Sequence, residues 1–359
     1  DRGRGIMIIA QVQSFFVLGT IRAIFLELVD TETFKKRILV YGAGLTASII
    51  ESKLRRKADR RTFNIVGYVL MEQQELMIDE NKLVDFSGSL YEYVLENDID
   101  EIIVAKTDTV TEIPVKELVE CKFRGIDVVD ILSFFEREVG QIRIDIMDPK
   151  WLVFSEGYYQ SQINDAMKRV FDLLASFIIL TISSPFMIFT IIAIKLEEGI
   201  RAPVFYHQIR VGLNAIEYPV YKFRSMRTDA EEKGKAVWAS RKDSRITRVG
   251  GFIRKSRIDE LPQIYNVLNG TMSFVGPRPE RPQFVKELAK EIPYYHERHL
   301  VKPGVTGWAQ LLYPYGASAN DSYQKQLFDM YYVKNKSLFL DLLILLQTVE
   351  VVLFGKGAC

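Results

Sequence analysis

The sequence predicts an α/β chain, in which a parallel-sheet domain is followed by a mainly α-helical domain held in a membrane. Three observations carry that expectation. From Arg37 to Val129, β-branched runs alternate with helical segments, the pattern of parallel strands joined by crossover helices. Phe171 to Ile194 is the longest apolar run and is flanked by Lys168-Arg169 and by Lys195. The composition, 48% hydrophobic and 26% charged over 359 residues, suits about two domains of ordinary size and excludes disorder as the dominant state.

The charge balance excludes further classes. Lys plus Arg number 47 against 46 for Asp plus Glu, so a net charge of +1 offers no global field for nucleic acid, and no nucleic-acid partner is expected. Anion binding must be local. Cys121 and Cys359 cannot make a disulfide framework, and three histidines cannot make a convincing zinc cluster. His296 and His299 read as helical surface residues.

Taken in order, the elements are these. Ile6 to Leu28 is apolar but interrupted by Gln11, Gln13, Arg22 and Glu27, and residues 1–30 read as the cut end of a membrane region. Residues 31–150 form the sheet domain, with strands at Arg37 to Tyr41, Ile65 to Leu70, Glu101 to Ala105 and Ile126 to Val129. Its helices are expected from the Gly42-Ala43-Gly44 turn to about Lys57, at Leu90 to Glu96 and at Val115 to Phe123. Asp148-Pro149-Lys150 is a turn signal, and residues 151–359 make the second domain.

The twenty-four residues from Phe171 to Ile194 would reach roughly 36 Å as a straight helix, enough for a hydrocarbon core of about 30 Å. Length alone favours a span. Ser183, Ser184 and Pro185 lie near the middle, however, and proline removes one helical hydrogen bond and clashes with the preceding turn. A kink is expected there, with the serine hydroxyls serving the freed carbonyls. A helix that dips into one leaflet and returns is the other reading. Near the C-terminus, Leu338 to Phe354 is apolar apart from Asp341, Gln347, Thr348 and Glu350, leaving a broad apolar face to lie in the interface or cover a core.

The residues suited to chemistry lie mostly between Arg245 and Arg281. Ile258-Asp259-Glu260-Leu261-Pro262-Gln263 reads as a helix start, with proline in the first turn, and Leu261, Ile264, Tyr265 and Leu268 as the buried stripe up to Gly270. Asp259 and Glu260 then sit at a helix N-terminus, where amides and the dipole favour carboxylates and phosphate. Arg245, Arg248, Arg254, Lys255 and Arg257 precede them. After them, Gly276-Pro277-Arg278-Pro279 holds Arg278 in a stiff loop suited to bidentate phosphate contacts. Lys302-Pro303-Gly304 opens a second rigid loop carrying a cation, and Pro203 to Tyr206 with Tyr221 to Met226 reads as a hairpin. Together these outline a diphosphate site beside a membrane.

These residues resemble the bacterial sugar transferases, or monotopic phosphoglycosyl transferases, over about Gln162 to Phe354. The resemblance rests on Lys-Arg-x-x-Asp at Lys168 to Asp172, Ser184-Pro185, Tyr-Lys-Phe-Arg-Ser-Met at 221–226, Asp-Glu-Leu-Pro-Gln at 259–263, Gly-Pro-Arg-Pro at 276–279 and Lys-Pro-Gly-Val-Thr-Gly-Trp-Ala-Gln at 302–310. Gly-Pro-Arg-Pro-Glu-Arg-Pro and Tyr313-Pro314-Tyr315-Gly316-Ala317 are similar to the large, exopolysaccharide-associated branch.

The resemblance implies several things. The run at about 168–195 becomes a re-entrant helix broken at Ser184-Pro185, in place of the span that length favours. A sugar 1-phosphate passes from a UDP-sugar to undecaprenyl phosphate, a polyprenyl phosphate, at the cytoplasmic face of the bacterial inner membrane, releasing UMP. Asp259 is the nucleophile and works with Glu260 and Mg²⁺; Lys222, Arg254, Arg278 and Lys302 bind phosphate or nucleotide. The first domain, Rossmann-like, serves regulation or self-association, with a homo-dimer as the expected assembly.

That first domain carries its own signal. Gly42-Ala43-Gly44 after a strand is a truncated dinucleotide fingerprint, and the acidic residue expected about twenty positions on is replaced by Tyr68-Val69-Leu70. Cofactor binding at Gly42 and Gly44 supports the competing reading, an NAD(P)-dependent sugar-nucleotide oxidoreductase or epimerase.

Overall fold

Aliphatic residues build the first strand, β1 (Lys36–Tyr41), and Ile38, Leu39 and Val40 are all fully buried. Successive side chains point to opposite faces of a strand, so burial of three in a row means that both faces are covered. After β1 come α1 (Leu45–Lys53), β2 (Phe63–Val69), α2 (Leu90–Glu96), β3 (Glu101–Val104), α3 (Val115–Phe123), β4 (Asp127–Asp130) and α4 (Ile131–Val139). The four strands pair in parallel in the order β2-β1-β3-β4. Leu39, Val69, Leu90, Val94, Ile102 and Leu118 form one packed core within this unit. The expected α2 and α3 are found at their expected bounds. α4 was not expected, although Asp130 announces it by accepting hydrogen bonds from Leu132 N and Ser133 N.

This computed structural model describes residues 13, 14, 17, 34–54, 60, 62–72, 74–85, 88–106, 113–155, 157–158, 161–227, 245–313, 316 and 318–354. Apart from Gln13, Ser14 and Val17, the N-terminal apolar run lies outside them, as do Cys359 and the part of the first helix expected beyond Leu54. The chain divides into two compact units between Val139 and Gly140. The expected boundary at 150 differs because residues 140–150 pack into the second unit: Ile142 N donates to Leu327 O (3.0 Å), and Trp308 Nε1 donates to Gly140 O (2.9 Å).

The second unit runs α5 (Pro149–Phe154), α6 (Gln162–Glu198), a hairpin of β5 (Phe205–Val211) and β6 (Glu217–Phe223), α7 (Arg248–Lys255), a 3₁₀ turn (Ile258–Glu260), α8 (Gln263–Leu268) and β7 (Ser273–Val275). It continues with α9 (Pro282–Glu291), a 3₁₀ segment (Tyr295–Leu300), β8 (Gly304–Thr306), α10 (Trp308–Leu312), α11 (Ala319–Asn335) and α12 (Leu338–Phe354). β7 and β8 pair in parallel.

α6 is 37 residues long with Pro185 inside it, and is long and apolar enough to cross a membrane by length and composition. Only 17% of its most apolar stretch is buried, and Phe177, Ile182, Phe186 and Phe189 stand largely exposed, unlike a core helix. Pro185 cannot donate to Thr181 O, four residues back, and Ser184 Oγ donates to that carbonyl instead (3.0 Å). Ser183 does not share the task; its hydroxyl faces Met187 Sδ.

Both ends of α6 are tied to the second unit. At the start, Lys168 Nζ binds Asp341 Oδ2 (2.5 Å), Tyr332 OH and Val275 O; Arg169 donates to Val267 O and Leu268 O at the end of α8; buried Asp172 accepts from Ser273 Oγ and Phe274 N. The Lys-Arg-x-x-Asp motif is therefore the joint between the apolar helix and the folded body. At the far end, the Glu197 carboxylate accepts from the Arg248 and Val249 amides at the start of α7, and Glu198 pairs with Arg224. α12 turns two of its polar residues inward, with Asp341 buried and Thr348 meeting Thr306, while Glu350 is exposed and Phe339, Leu342, Leu346 and Val349 form an exposed apolar stripe.

Candidate active site

Asp259 and Glu260 lie in the 3₁₀ turn, not in the first turn of the following helix as expected. Pro262 occupies the cap position of α8, and neither turn nor helix has a side-chain cap. Arg257 takes the left-handed conformation (φ 60°) that starts the turn, a cost an Arg bears only when surrounding contacts fix the backbone. The buried stripe of α8 is also displaced. Ile264, Val267 and Asn266 face inward, whereas Tyr265 is 59% exposed and Leu268 lies at the surface. Asn266 decides this rotation: its Oδ1 accepts from Tyr221 N and its Nδ2 donates to Pro219 O, stitching α8 to β6.

That stitching brings Lys222 of β6 to the turn. Lys222 Nζ lies 2.8 Å from Glu260 Oε1, and Arg278 Nη2 lies 3.4 Å from the same oxygen. Arg257 Nη1 is 3.8 Å from Glu260 Oε2. Burial pushes the Glu260 carboxyl up, but Lys222 and Arg278 outweigh it and hold it well below the usual carboxylate range. Asp259 behaves oppositely. Burial and then Glu260 push it up, against the pull of Lys222, Arg254 and Arg257. Asp259 is 8% exposed and has no hydrogen-bond partner among the described residues. Two adjacent carboxylates are thus driven apart: one is neutralised by cations and the other is left available.

Arg278 is held as its prolines suggest, with added support that the sequence did not announce. Gly276 N donates to Thr306 O and Gly304 N to Pro277 O, so the two rigid loops are laced together. A Cβ on Gly276 would meet Lys302 O at 2.2 Å, so glycine is required there by contact. Buried Arg298 donates to the Arg278 carbonyl (3.0 Å) and to Asp329 Oδ2 (2.8 Å), and Arg278 Nη1 donates to Gln310 Oε1. Arg298 was missed as a site residue; nothing in its spacing marks it, since it meets Asp329 only through the packing of α11 on the 3₁₀ segment. His299 was expected at the surface but is buried beside Arg298.

Of the expected site residues, the structure brings together Asp259, Glu260, Lys222, Arg254 and Arg278. Lys302 has different charged neighbours, Arg169, Asp172, Lys168 and Asp165, and forms with Lys168 and Arg169 a second basic group at the base of α6. Gly42 and Gly44 lie in the first unit. Gly42 has φ +133° and sits against Ala105 O; Gln74 fills the turn, accepting from Ala43 N through Oε1 (2.9 Å). The amide a phosphate would use is therefore engaged by a side chain of the same unit.

Comparison with known proteins places this geometry in context. The chain is 44% identical over 241 residues to the UDP-N-acetylgalactosamine-undecaprenyl-phosphate N-acetylgalactosaminephosphotransferase of Aeromonas hydrophila, covering 67% of this chain and 56% of that protein. It is 31% identical over 338 residues to the undecaprenyl-phosphate glucose phosphotransferase of Komagataeibacter xylinus, covering 91% of this chain and 61% of the relative. It is 31% identical over 359 residues to the undecaprenyl-phosphate galactose phosphotransferase of Salmonella typhimurium, covering 90% and 70%. The chain thus spans somewhat over half the length of the first two relatives. The family model described as bacterial sugar transferase matches residues 163–355, which include the membrane-type helix, the carboxylate turn and both rigid loops, and the chain belongs to that family.

Proposed function

We propose that this chain transfers a sugar 1-phosphate from a UDP-sugar to undecaprenyl phosphate, initiating an exopolysaccharide or similar glycoconjugate. The observation that carries the reading is the divided carboxylate pair: Glu260 held by Lys222 and Arg278, Asp259 buried beside it without a hydrogen-bond partner among the described residues. An Asp259 oxygen attacks the phosphorus that bears the sugar; the bond from that phosphorus to the bridging oxygen breaks, and UMP leaves with the electron pair. A phosphate oxygen of the acceptor then attacks the same phosphorus, releasing Asp259 and forming the lipid diphosphate sugar. Lys222, Arg254 and Arg278 hold the donor phosphates; Lys302, with Lys168 and Arg169, offers a second basic group.

The donor set fits Mg²⁺. Both candidate ligands are hard carboxylate oxygens, and this ion is ordinarily held by one or two carboxylates, with substrate phosphate and water completing its shell. Asp259 and Glu260 would hold it, where it would offset charge on the diphosphate.

A membrane position is supported by α6. Its two ends bind the same unit, through Lys168, Arg169 and Asp172 at one end and Glu197 and Glu198 at the other, which supports a helix that bends at Ser184-Pro185 and re-enters one leaflet. A straight span would carry those ends to opposite faces. In this reading the site lies at the cytoplasmic face of the bacterial inner membrane, and the first unit, a Rossmann-like domain, serves regulation or self-association as a homo-dimer.

The relatives act on three different sugars by name, so the test uses a panel. Detergent-solubilised protein with Mg²⁺ and undecaprenyl phosphate is expected to release UMP from one of the UDP derivatives of N-acetylgalactosamine, glucose or galactose. Asp259→Asn should reduce that release by at least about ten-thousandfold, the scale for loss of a nucleophile. Undiminished release by Asp259→Asn would overturn the assignment.

A further inference from the structure

The second unit contains an apolar groove of about 390 Å³ between α6 and α7, within the size range of small-molecule sites. One wall is a stripe of α6 at helical spacing, Phe186, Phe189 and Ala193, beginning at the residue after Pro185. The other wall includes Val249 and Phe252 of α7. The walls are fixed to one another, because the Glu197 carboxylate of α6 binds the first amides of α7. Phe189 is 71% exposed and Phe252 68%, so two aromatic rings stand open at the rim.

Two lining residues say what the groove would hold. Arg248 is the one charged residue among them, and its guanidinium has no side-chain partner among the described residues. Ile258 is the other, and it immediately precedes Asp259. A hydrocarbon chain with a single anionic end satisfies both: the apolar walls take the chain, the Arg248 cation attracts the phosphate end, and Ile258 puts that end of the groove next to Asp259 in the chain.

We propose that this groove binds the first isoprene units of the polyprenyl phosphate acceptor and so delivers its phosphate to Asp259. The inference rests on the transfer reading above for the identity of the acceptor, and adds to it where the chain lies and that its length is sensed. The volume accommodates a few isoprene units, so the remainder of a long chain lies in the lipid along the exposed face of α6. Acceptors too short to fill the groove lose this contact.

Two measurements on the full detergent-solubilised chain test it. A polyprenyl phosphate carrying a diazirine in its first isoprene units is expected to label the stretches 186–193 and 249–252, both in wild type and in Asp259→Asn. Excess undecaprenyl phosphate should suppress the labelling, and an equal amount of phosphatidylglycerol should not. In the transfer assay, Ala193→Trp, which fills the groove, and Phe252→Ala, which removes an exposed wall, are each expected to reduce the preference for undecaprenyl phosphate over a two-isoprene phosphate at least tenfold. Labelling confined to other segments, equal suppression by phosphatidylglycerol, or an unchanged preference in both variants overturns the groove. Labelling as expected in a protein that transfers sugar phosphate to neither acceptor would retain the groove and sink the transfer reading instead.

Discussion

Two glycine-bearing turns stand out in the sequence, one after β1 and one after β7, and they have opposite fates. At Gly42-Ala43-Gly44 the Ala43 amide is bonded to Gln74, and Gly42 packs on Ala105 O. At Gly276-Pro277-Arg278-Pro279 the glycine packs on the neighbouring loop's backbone, while the Arg278 carbonyl is held from behind by Arg298 and its side chain is sent toward Glu260. Both glycines permit a close backbone approach. In the first turn the approaching groups are the Ala105 carbonyl at Gly42 and the Gln74 side chain at Gly44; in the second the close approach only stiffens the loop, and the charged side chain is presented toward Glu260. A glycine pattern therefore reports proximity, and the identity of the neighbour decides whether a ligand site results.

The contrast can be broken most severely from behind the second turn. Arg298→Ala leaves Asp329 buried without its cation, with an expected loss of about 3–5 kcal/mol of stability, measurable by denaturant titration in detergent. Arg298→Lys should recover part of it. Next in size, Arg278→Ala keeps the loop and removes the presented charge, and UMP release should fall about 100- to 1,000-fold. A loss of that size from Gln74→Ala instead would reverse the comparison.

A pH effect of intermediate size belongs to the same support. Burial, then Arg298 and His296, push His299 down to about 4 from its ordinary 6.5. Its folded state favours the neutral ring, so the unfolded chain takes up the proton first as pH falls. Stability is full above about 6.5 and drains toward 4, by at most about 3 kcal/mol. Denaturation midpoints across that window should fall in the wild type and flatten in His299→Gln. The smallest effect is expected in the first turn. Gln74→Ala leaves the Ala43 amide without its partner, costing about 1–3 kcal/mol in that unit, with UMP release changed less than twofold.

Much of this was legible. The strand and helix alternation gave α2 and α3 at their observed bounds, because local periodicity and caps govern elements of that kind. Ser184 was legible as the partner of a carbonyl left by Pro185, since both lie in one turn of helix. The facing of α8 was not: Tyr265 and Leu268 fit an apolar stripe, and only the long-range bonds of Asn266 to β6 turn them outward. Arg298 and His299 escaped for the same reason, as the partner of Arg298 lies about thirty residues away and the burial of His299 depends on how a 3₁₀ segment meets α11.

By itself the sequence determined the two-part order, the long apolar helix with its proline, and the local grouping of carboxylates with basic residues, because period, composition and short-range spacing act within a few turns of chain. The tertiary structure alone decided which carboxylate is neutralised and which is left available. It also decided that Lys302 sits with Lys168 and Arg169, that Gln74 fills the first turn, and that a groove opens between α6 and α7. These depend on groups far apart in sequence arriving within a few ångströms, where burial and short-range electrostatics set their states.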